Sequence, residues 1–426
     1  MTEATSPQDR KSALAAYVAV TAAYWAFMLT DGALRMLVLL HFHTLGFSPV
    51  HLAYLFLLYE FMGVVTNLSA GWIAARFGLT TTLYAGLGFQ IAALVALSQL
   101  DPGWSLTTSV VFVMAVQGVS GIAKDLAKMS AKSAVKVLAP TDDSSALFRW
   151  VAVLTGSKNA VKGLGFLLGA ALLAIWGFQA SVIGMAAVLA VIFAAVTVFM
   201  PAGLPRGKKK VKFTEVFSKN ANINRLSAAR LFLFGARDVW FVVGIPIYFY
   251  GVLSDGSAAG DRAAFFAIGS FMAAWIIGYG VIQGFAPKIL RAREKSVADA
   301  VALARLWVGV LLVIPAVLAA LVWLSGGAPA AWLTGVLVAG LLVFGGVFAL
   351  NSSLHSYLIL AFTQAERVTM DVGFYYMSNA AGRLLGTLLS GLSYQMGGLS
   401  ACLACAALMA TASWWCARRL ERGVAP

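Results

Sequence analysis

The stretch "GVSGIAKDLAKMSAKSAVK", residues 118–136, closes an apolar run that begins near Leu106. Lys124, Lys128, Lys132 and Lys136 recur in it at every fourth position. Each step of four residues on a helix turns only about 40° past a full circle, so the ammonium groups form one slowly turning stripe. A lysine stripe inside an apolar helix has two physical outlets. It faces a polar cavity between helices, or its side chains reach out to the headgroups at the helix end.

The rest of the chain supplies the membrane. Of its 426 residues 61% are hydrophobic and 11% charged, and its mean hydropathy is +0.85; an ordinary soluble domain is about 25% charged. A net charge of +14 matches the basic loops that a spanning protein holds on one side, so nucleic-acid binding is not implied. Cys402, Cys405 and Cys416 all fall in the last apolar segment, and no disulfide framework is implied. The first apolar run outlasts a signal peptide and reads as a spanning helix that stays attached.

Crossing the hydrocarbon layer takes about 20 mostly apolar residues. Twelve such stretches are separated by breaks rich in Gly, Pro and charge: 14–41, 52–75, 82–100, 106–136, 147–175, 178–200, 229–253, 262–287, 298–324, 330–361, 368–394 and 397–417. They lack period-two alternation, which predicts an all-α membrane protein rather than a barrel. The loop at 201–228, with Lys208, Lys209, Lys210, Lys212 and Lys219, divides them into an N-terminal six-helix bundle (1–200) and a C-terminal one (229–426). Arg10, Lys11, Arg76, Arg149, the "PRGKKKVKF" linker, the "KILRAREK" loop, Arg367, Arg418, Arg419 and Arg422 fall on one side and only Arg262 on the other. The positive-inside rule then predicts both termini in the cytoplasm, as expected of a bacterial inner-membrane protein. The stretches "DGALRMLVLLHFHTLGFS" and "RDVWFVVGIPIYFYGVLS" echo each other in the first and seventh helices, in keeping with a six-plus-six repeat.

Charge at membrane depth marks the helices that line a polar path. It falls at Asp31 and Arg35 in helix 1, Glu60 in helix 2, Lys124, Asp125 and Lys128 in helix 4, Lys158 and Lys162 in helix 5, Arg237 and Asp238 in helix 7, and Arg383 in helix 11. In this the chain resembles the major facilitator superfamily, in which helices 1, 4, 7 and 10 line a central cavity, 2, 5, 8 and 11 flank it, and the others are peripheral. The "GWIAARFGLTT" loop is similar to that superfamily's G-x-L-a-D-R-x-G-R motif at Gly71, Arg76 and Gly78. It departs at Ala75 and Leu79, so a latch made by the missing Asp is not carried over. "TDGALRMLVLLHFHTLGFSP", "GIAKDLAKMSAKSAVK" and "FLFGARDVWFVVGIP" together resemble the ArsJ family of organoarsenical efflux permeases within it. That resemblance implies export of 1-arseno-3-phosphoglycerate, supplied by a partner glyceraldehyde-3-phosphate dehydrogenase, with no cofactor.

The residues themselves point to an anion. Cations outnumber carboxylates at membrane depth, and buried charge is costly unless a counter-charge arrives. Lysine, a mobile point charge, suits binding and release, so Lys124, Lys128, Lys158 and Lys162 are assigned to the anion path. The fixed forks of Arg35, Arg237 and Arg383 are assigned to orienting the charged ends. Lys132 and Lys136 are expected to snorkel to the surface. Asp31 and Arg35, four apart, are spaced for an intrahelical pair, whereas Arg237 and Asp238 are expected to pair across helices. Glu60, with no cation nearby in sequence, is the first proton-carrier candidate, with Asp31 and Asp238 beside it. His355, and Tyr376, Asn379 and Arg383 on one face of helix 11, complete the candidate set, His355 and the tyrosines also having plain packing roles. The "CLAC" thiols at 402–405 lie in a peripheral helix without His or Asp neighbours, so no metal is expected. No P-loop or nucleophile motif is present, and an enzyme is not expected. An importer or exchanger of phosphorylated sugars or carboxylates remains open beside the exporter. A transport-inactive sensor on the same scaffold is expected to need a soluble segment larger than the central loop.

Overall fold

The computed structural model describes residues 7–138, 144–199, 218, 220–291, 296–326, 331–363 and 368–421. Among these residues the secondary structure is helical throughout, apart from turns and one isolated bridge position at Gly78. The helices are α1 (Pro7–Thr44), α2 (Pro49–Phe77), α3 (Leu79–Leu97), α4 (Leu106–Leu138), α5 (144–176), α6 (178–199), α7 (221–253), α8 (Ala258–Ile289), α9 (Val297–Leu324), α10 (Ala331–Phe362), α11 (368–396) and α12 (399–418). The side chains of Lys132, Lys136 and Arg149, and the residues Lys208, Lys209, Lys210, Lys212, Lys219 and Arg367, lie outside what the structure describes.

Two of these boundaries are glycine bends inside long helical runs. Ser157–Val198 and Asp371–Arg418 are 42 and 48 residues long, about twice what one crossing needs at 1.5 Å per residue. Each doubles back, at Gly177 (φ 74°) and at Gly397–Gly398, where Gly398 has φ 60°. A side chain at those φ values meets its own backbone, so glycine sets both bends. The seventh helix begins at Ala221, earlier than the expected 229, because the side chain of Asn220 accepts from the amides of Asn222 and Ile223 and caps it. It also contains a π-turn, Trp240–Gly244.

In the N-terminal half α1 packs on α5 and α4, α2 and α3 pack on α4, and α3 reaches α6 through Tyr84 and Phe193. The C-terminal half repeats the plan: α7 packs on α11, and α9 on α10 and α12. The halves meet along α5–α8 and α2–α11.

Glycine brings the first and fifth helix of each half together. A Cβ on Gly165 falls 2.6 Å from the Leu29 carbonyl oxygen, and one on Gly32 falls 2.6 Å from that of Lys162. In the C-terminal half the Cβ positions of Gly382 and Gly386 fall against Leu231, Gly235 and Asp238. Backbones this close gain van der Waals contact, which drives helix association where lipid removes the hydrophobic term. The outward faces remain apolar: Trp176, Val198, Trp323 and Leu324 are each more than 60% exposed, as suits acyl chains.

At the face where α1 ends and α2 begins, the halves are closed on each other. His43 packs edge-on against Tyr250 at 4.8 Å, Val50 N donates to Gln395 Oε1 at 3.4 Å, and a Cβ on Gly391 falls 2.5 Å from the Pro49 carbonyl oxygen.

Candidate functional site

The two glycine seams fix where the charges meet. Asp31 sits beside Gly32 on α1, so the close approach of α5 delivers Lys162, whose Nζ lies 3.2 Å from Asp31 Oδ2. Tyr59 of α2 donates its hydroxyl to Asp31 Oδ1 at 2.5 Å. In the other half Arg383 follows Gly382 on α11, and its Nε lies 3.6 Å from Asp238 Oδ2 on α7.

A chain of ion pairs then crosses from one half to the other. Arg35 Nη1 donates to Glu60 Oε1 at 3.0 Å, and Arg383 Nη2 donates to the same oxygen at 2.6 Å. Asp238 Oδ1 in turn takes Arg237 Nη2 at 2.5 Å and Nε at 2.6 Å. The order Arg35, Glu60, Arg383, Asp238, Arg237 links α1 and α2 to α11 and α7. Glu60 is fully buried.

Beside this chain lies a smaller cluster on α2 and α4. Lys128 Nζ lies 2.7 Å from Asp125 Oδ1 and 3.1 Å from Asn67 Oδ1. Asp125 Oδ2 accepts from Thr66 at 2.7 Å and from Asn67 at 3.3 Å. Tyr376 of α11 faces Lys128, whose Nζ is 6.0 Å from its ring centroid. Asn379 Oδ1 is buried without a hydrogen bond.

Lys124 stands apart from these pairs. It is buried, and its Nζ lies 4.1 Å from the centre of the Tyr59 ring. Among the described residues no carboxylate lies within the 4.0 Å of an ion pair. The ring quadrupole attracts the ammonium, worth about 2 kcal/mol when desolvated, less than a buried ion needs to offset its lost hydration. A Cβ on Gly63 falls 3.6 Å from Lys124 Nζ and 3.7 Å from the Ala380 Cβ, so the ammonium sits at the α2–α11 junction.

Several pairings differ from the sequence expectation. Asp31 and Arg35 do not pair with each other; tertiary packing gives Asp31 to Lys162 and Arg35 to Glu60. Arg237 and Asp238, expected to pair across helices, pair with each other first, because the long guanidinium folds back onto its neighbour. Glu60 is not an isolated acid, since its two cations come from α1 and α11, distant in sequence. Lys158 lies half-buried one turn before Lys162. His355 is fully buried on α10 with neither ring nitrogen hydrogen-bonded. Cys402 is buried between Ser393 and the Ser390 carbonyl.

Sequence reasoning missed Tyr59, Thr66, Asn67 and Arg230. The spacing of Glu60, Gly63 and Asn67, three and then four apart, is a helical-face signal that was there to read. Arg230, at the edge of the expected seventh stretch, is only 4% exposed.

No family model and no curated protein sequence matches the chain. Solved structures do. The crystal structure of a variant of the nucleoside transporter NupG is 16% identical, with a TM-score of 0.67 over 96% of this chain and 98% of that one. A POT family transporter in complex with a thioalcohol-conjugated peptide is 13% identical, with a TM-score of 0.68 over 93% of this chain and 94% of that one. With helices paired as described and the whole length of these transporters superposed, the chain is an all-α membrane protein of the major facilitator fold.

Proposed function

We propose that the chain is a membrane transporter that carries an organic polyanion by alternating access, the two halves rocking about the basic centre. The observation that carries this reading is Lys124, a buried ammonium with no carboxylate within ion-pair distance among the described residues. Around it Arg35, Lys128, Lys162, Arg237 and Arg383 stand against Asp31, Glu60, Asp125 and Asp238, leaving the centre net positive. An arriving anion supplies the missing charge in a low-dielectric site.

The resemblance of three stretches to the organoarsenical permeases supports a specific substrate, 1-arseno-3-phosphoglycerate, whose two acidic ends suit cations spread over α1, α4, α5, α7 and α11. A partner glyceraldehyde-3-phosphate dehydrogenase supplies it, and the transporter expels it across the bacterial inner membrane. Each negative charge leaving an inside-negative cell gains about 2.3 kcal/mol per 100 mV, so export runs with or without proton antiport. Asp31, Glu60 and Asp238 are the carboxylates placed to exchange protons for substrate.

The test is Lys124→Gln in cells that make the substrate. Loss of arsenate resistance, with normal amounts of protein in the membrane, is expected; unchanged resistance overturns the assignment. Uptake into everted vesicles with phosphorylated sugars or carboxylates as competitors separates this exporter from an importer or exchanger.

A further inference from the structure

A second basic centre lies within the C-terminal half, away from the ion-pair chain. Arg230 of α7 donates through Nη1 to the Ser352 carbonyl at 3.1 Å and to its hydroxyl at 3.0 Å. Its guanidinium carbon lies 4.1 Å from the Phe234 ring centroid and 4.9 Å from that of Tyr375. Among the described residues no carboxylate lies within 4.0 Å of it. Asp371, one turn before Tyr375, instead accepts from Thr363 at 2.6 Å.

Ser352 is engaged by Arg230 and Gln283, but the polar groups next to it on α10 are unspent. Ser352 is flanked on α10 by Asn351 and, one turn on, by His355. All three are fully buried. Neither side-chain atom of Asn351, neither ring nitrogen of His355, nor Nε of Arg230 has a hydrogen-bond partner. A buried polar group without a partner is destabilising, and a buried unpaired cation more so. Their accumulation on the stretch of α10 that carries Ser352, the residue Arg230 holds, calls for a single ligand that accepts from several donors and carries negative charge.

We propose that Arg230, Asn351 and His355 form a second anion station, which takes a tetrahedral oxyanion: free phosphate or arsenate, or the terminal group of a larger anion. Phe234 links it to the central site, its ring contacted by Arg230 at 4.1 Å and by Arg237 at 4.9 Å from the centroid. Arg230 and Arg237 stand seven residues apart on α7, two turns of the helix, and share the Phe234 ring. The polyanion reading supplies the purpose of this station, a resting place between the membrane face where α7 begins and the centre.

The experiment measures the melting temperature of the purified full chain in detergent while inorganic phosphate replaces chloride at constant ionic strength. Lys124→Gln serves as the background, so that phosphate binding at the centre does not mask the effect. Phosphate at ten times its Kd is expected to raise the melting temperature by about 2 °C, and Arg230→Gln is expected to abolish the rise. Asn351→Leu removes an amide that has no partner, so the fold does not depend on it; the same loss is expected there. If phosphate does not stabilise the Lys124→Gln chain more than chloride, or if the rise survives both second substitutions, the station is overturned. Failure of the central reading shows separately, as transport that persists in Lys124→Gln.

Discussion

Arg383 of α11 reaches Glu60 of α2 at 2.6 Å and so ties the C-terminal half of the molecule to the N-terminal half through one buried carboxylate. Arg35 shares that carboxylate. Glu60→Gln leaves two guanidiniums without their common partner, and removing one member of a buried pair costs about 3–5 kcal/mol. A lowered melting temperature is expected. The double variant Glu60→Gln/Arg383→Gln is expected to lose less than the two single losses added; strict additivity would rule out the coupling.

Lys124 predicts the opposite sign. Asp31, Glu60 and Asp125 each keep an ion-pair partner of their own, so Lys124→Gln removes a buried charge without stranding a carboxylate and keeps most of the side-chain volume. Its melting temperature is expected to equal or exceed that of the parent while transport is lost. A large destabilisation would mean that Lys124 holds the fold together.

The α1–α5 seam is a packing prediction. A methyl on Gly165 falls 2.6 Å from the Leu29 carbonyl oxygen, so Gly165→Ala pushes α1 and α5 apart and weakens the Asp31–Lys162 pair they carry. Overpacking of this kind costs about 1–3 kcal/mol. Gly88→Ala, where a Cβ meets nothing within 4 Å, is the matched control and is expected to leave unfolding unchanged.

The π-turn in α7 depends on one hydroxyl. Ser390 Oγ accepts from Val243 N at 3.1 Å and from Gly244 N at 3.3 Å. Ser390→Ala leaves two buried amides short of an acceptor, at about 1–3 kcal/mol for an unsatisfied group. Faster hydrogen exchange confined to residues 240–245 is expected; exchange that is unchanged there would show the turn to be held by its surroundings alone.

Much of the architecture could be read from the chain. Among the described residues twelve helices stand where the twelve apolar stretches were expected, because hydropathy reports the one requirement lipid imposes on every span. The residues of the basic centre were legible for the same reason, since charge in an apolar run is conspicuous. Their partners were not. Asp31 with Arg35 satisfied a local spacing rule, but Gly32 and Gly165 let α5 come close enough for Lys162 to take Asp31 instead. Glu60 looked solitary because Arg383 stands 323 positions away. Arg230 was missed because a sequence gives no depth, and the start of α7 moved with the Asn220 cap.

Both arginines meet Glu60 on the same atom, Oε1, while Oε2 has no hydrogen bond. A carboxylate gripped at both oxygens resists rotation; one held at a single oxygen acts as a ball joint. This one link therefore fixes the distance between the groups it joins and leaves their angle free, a bearing as well as a lock.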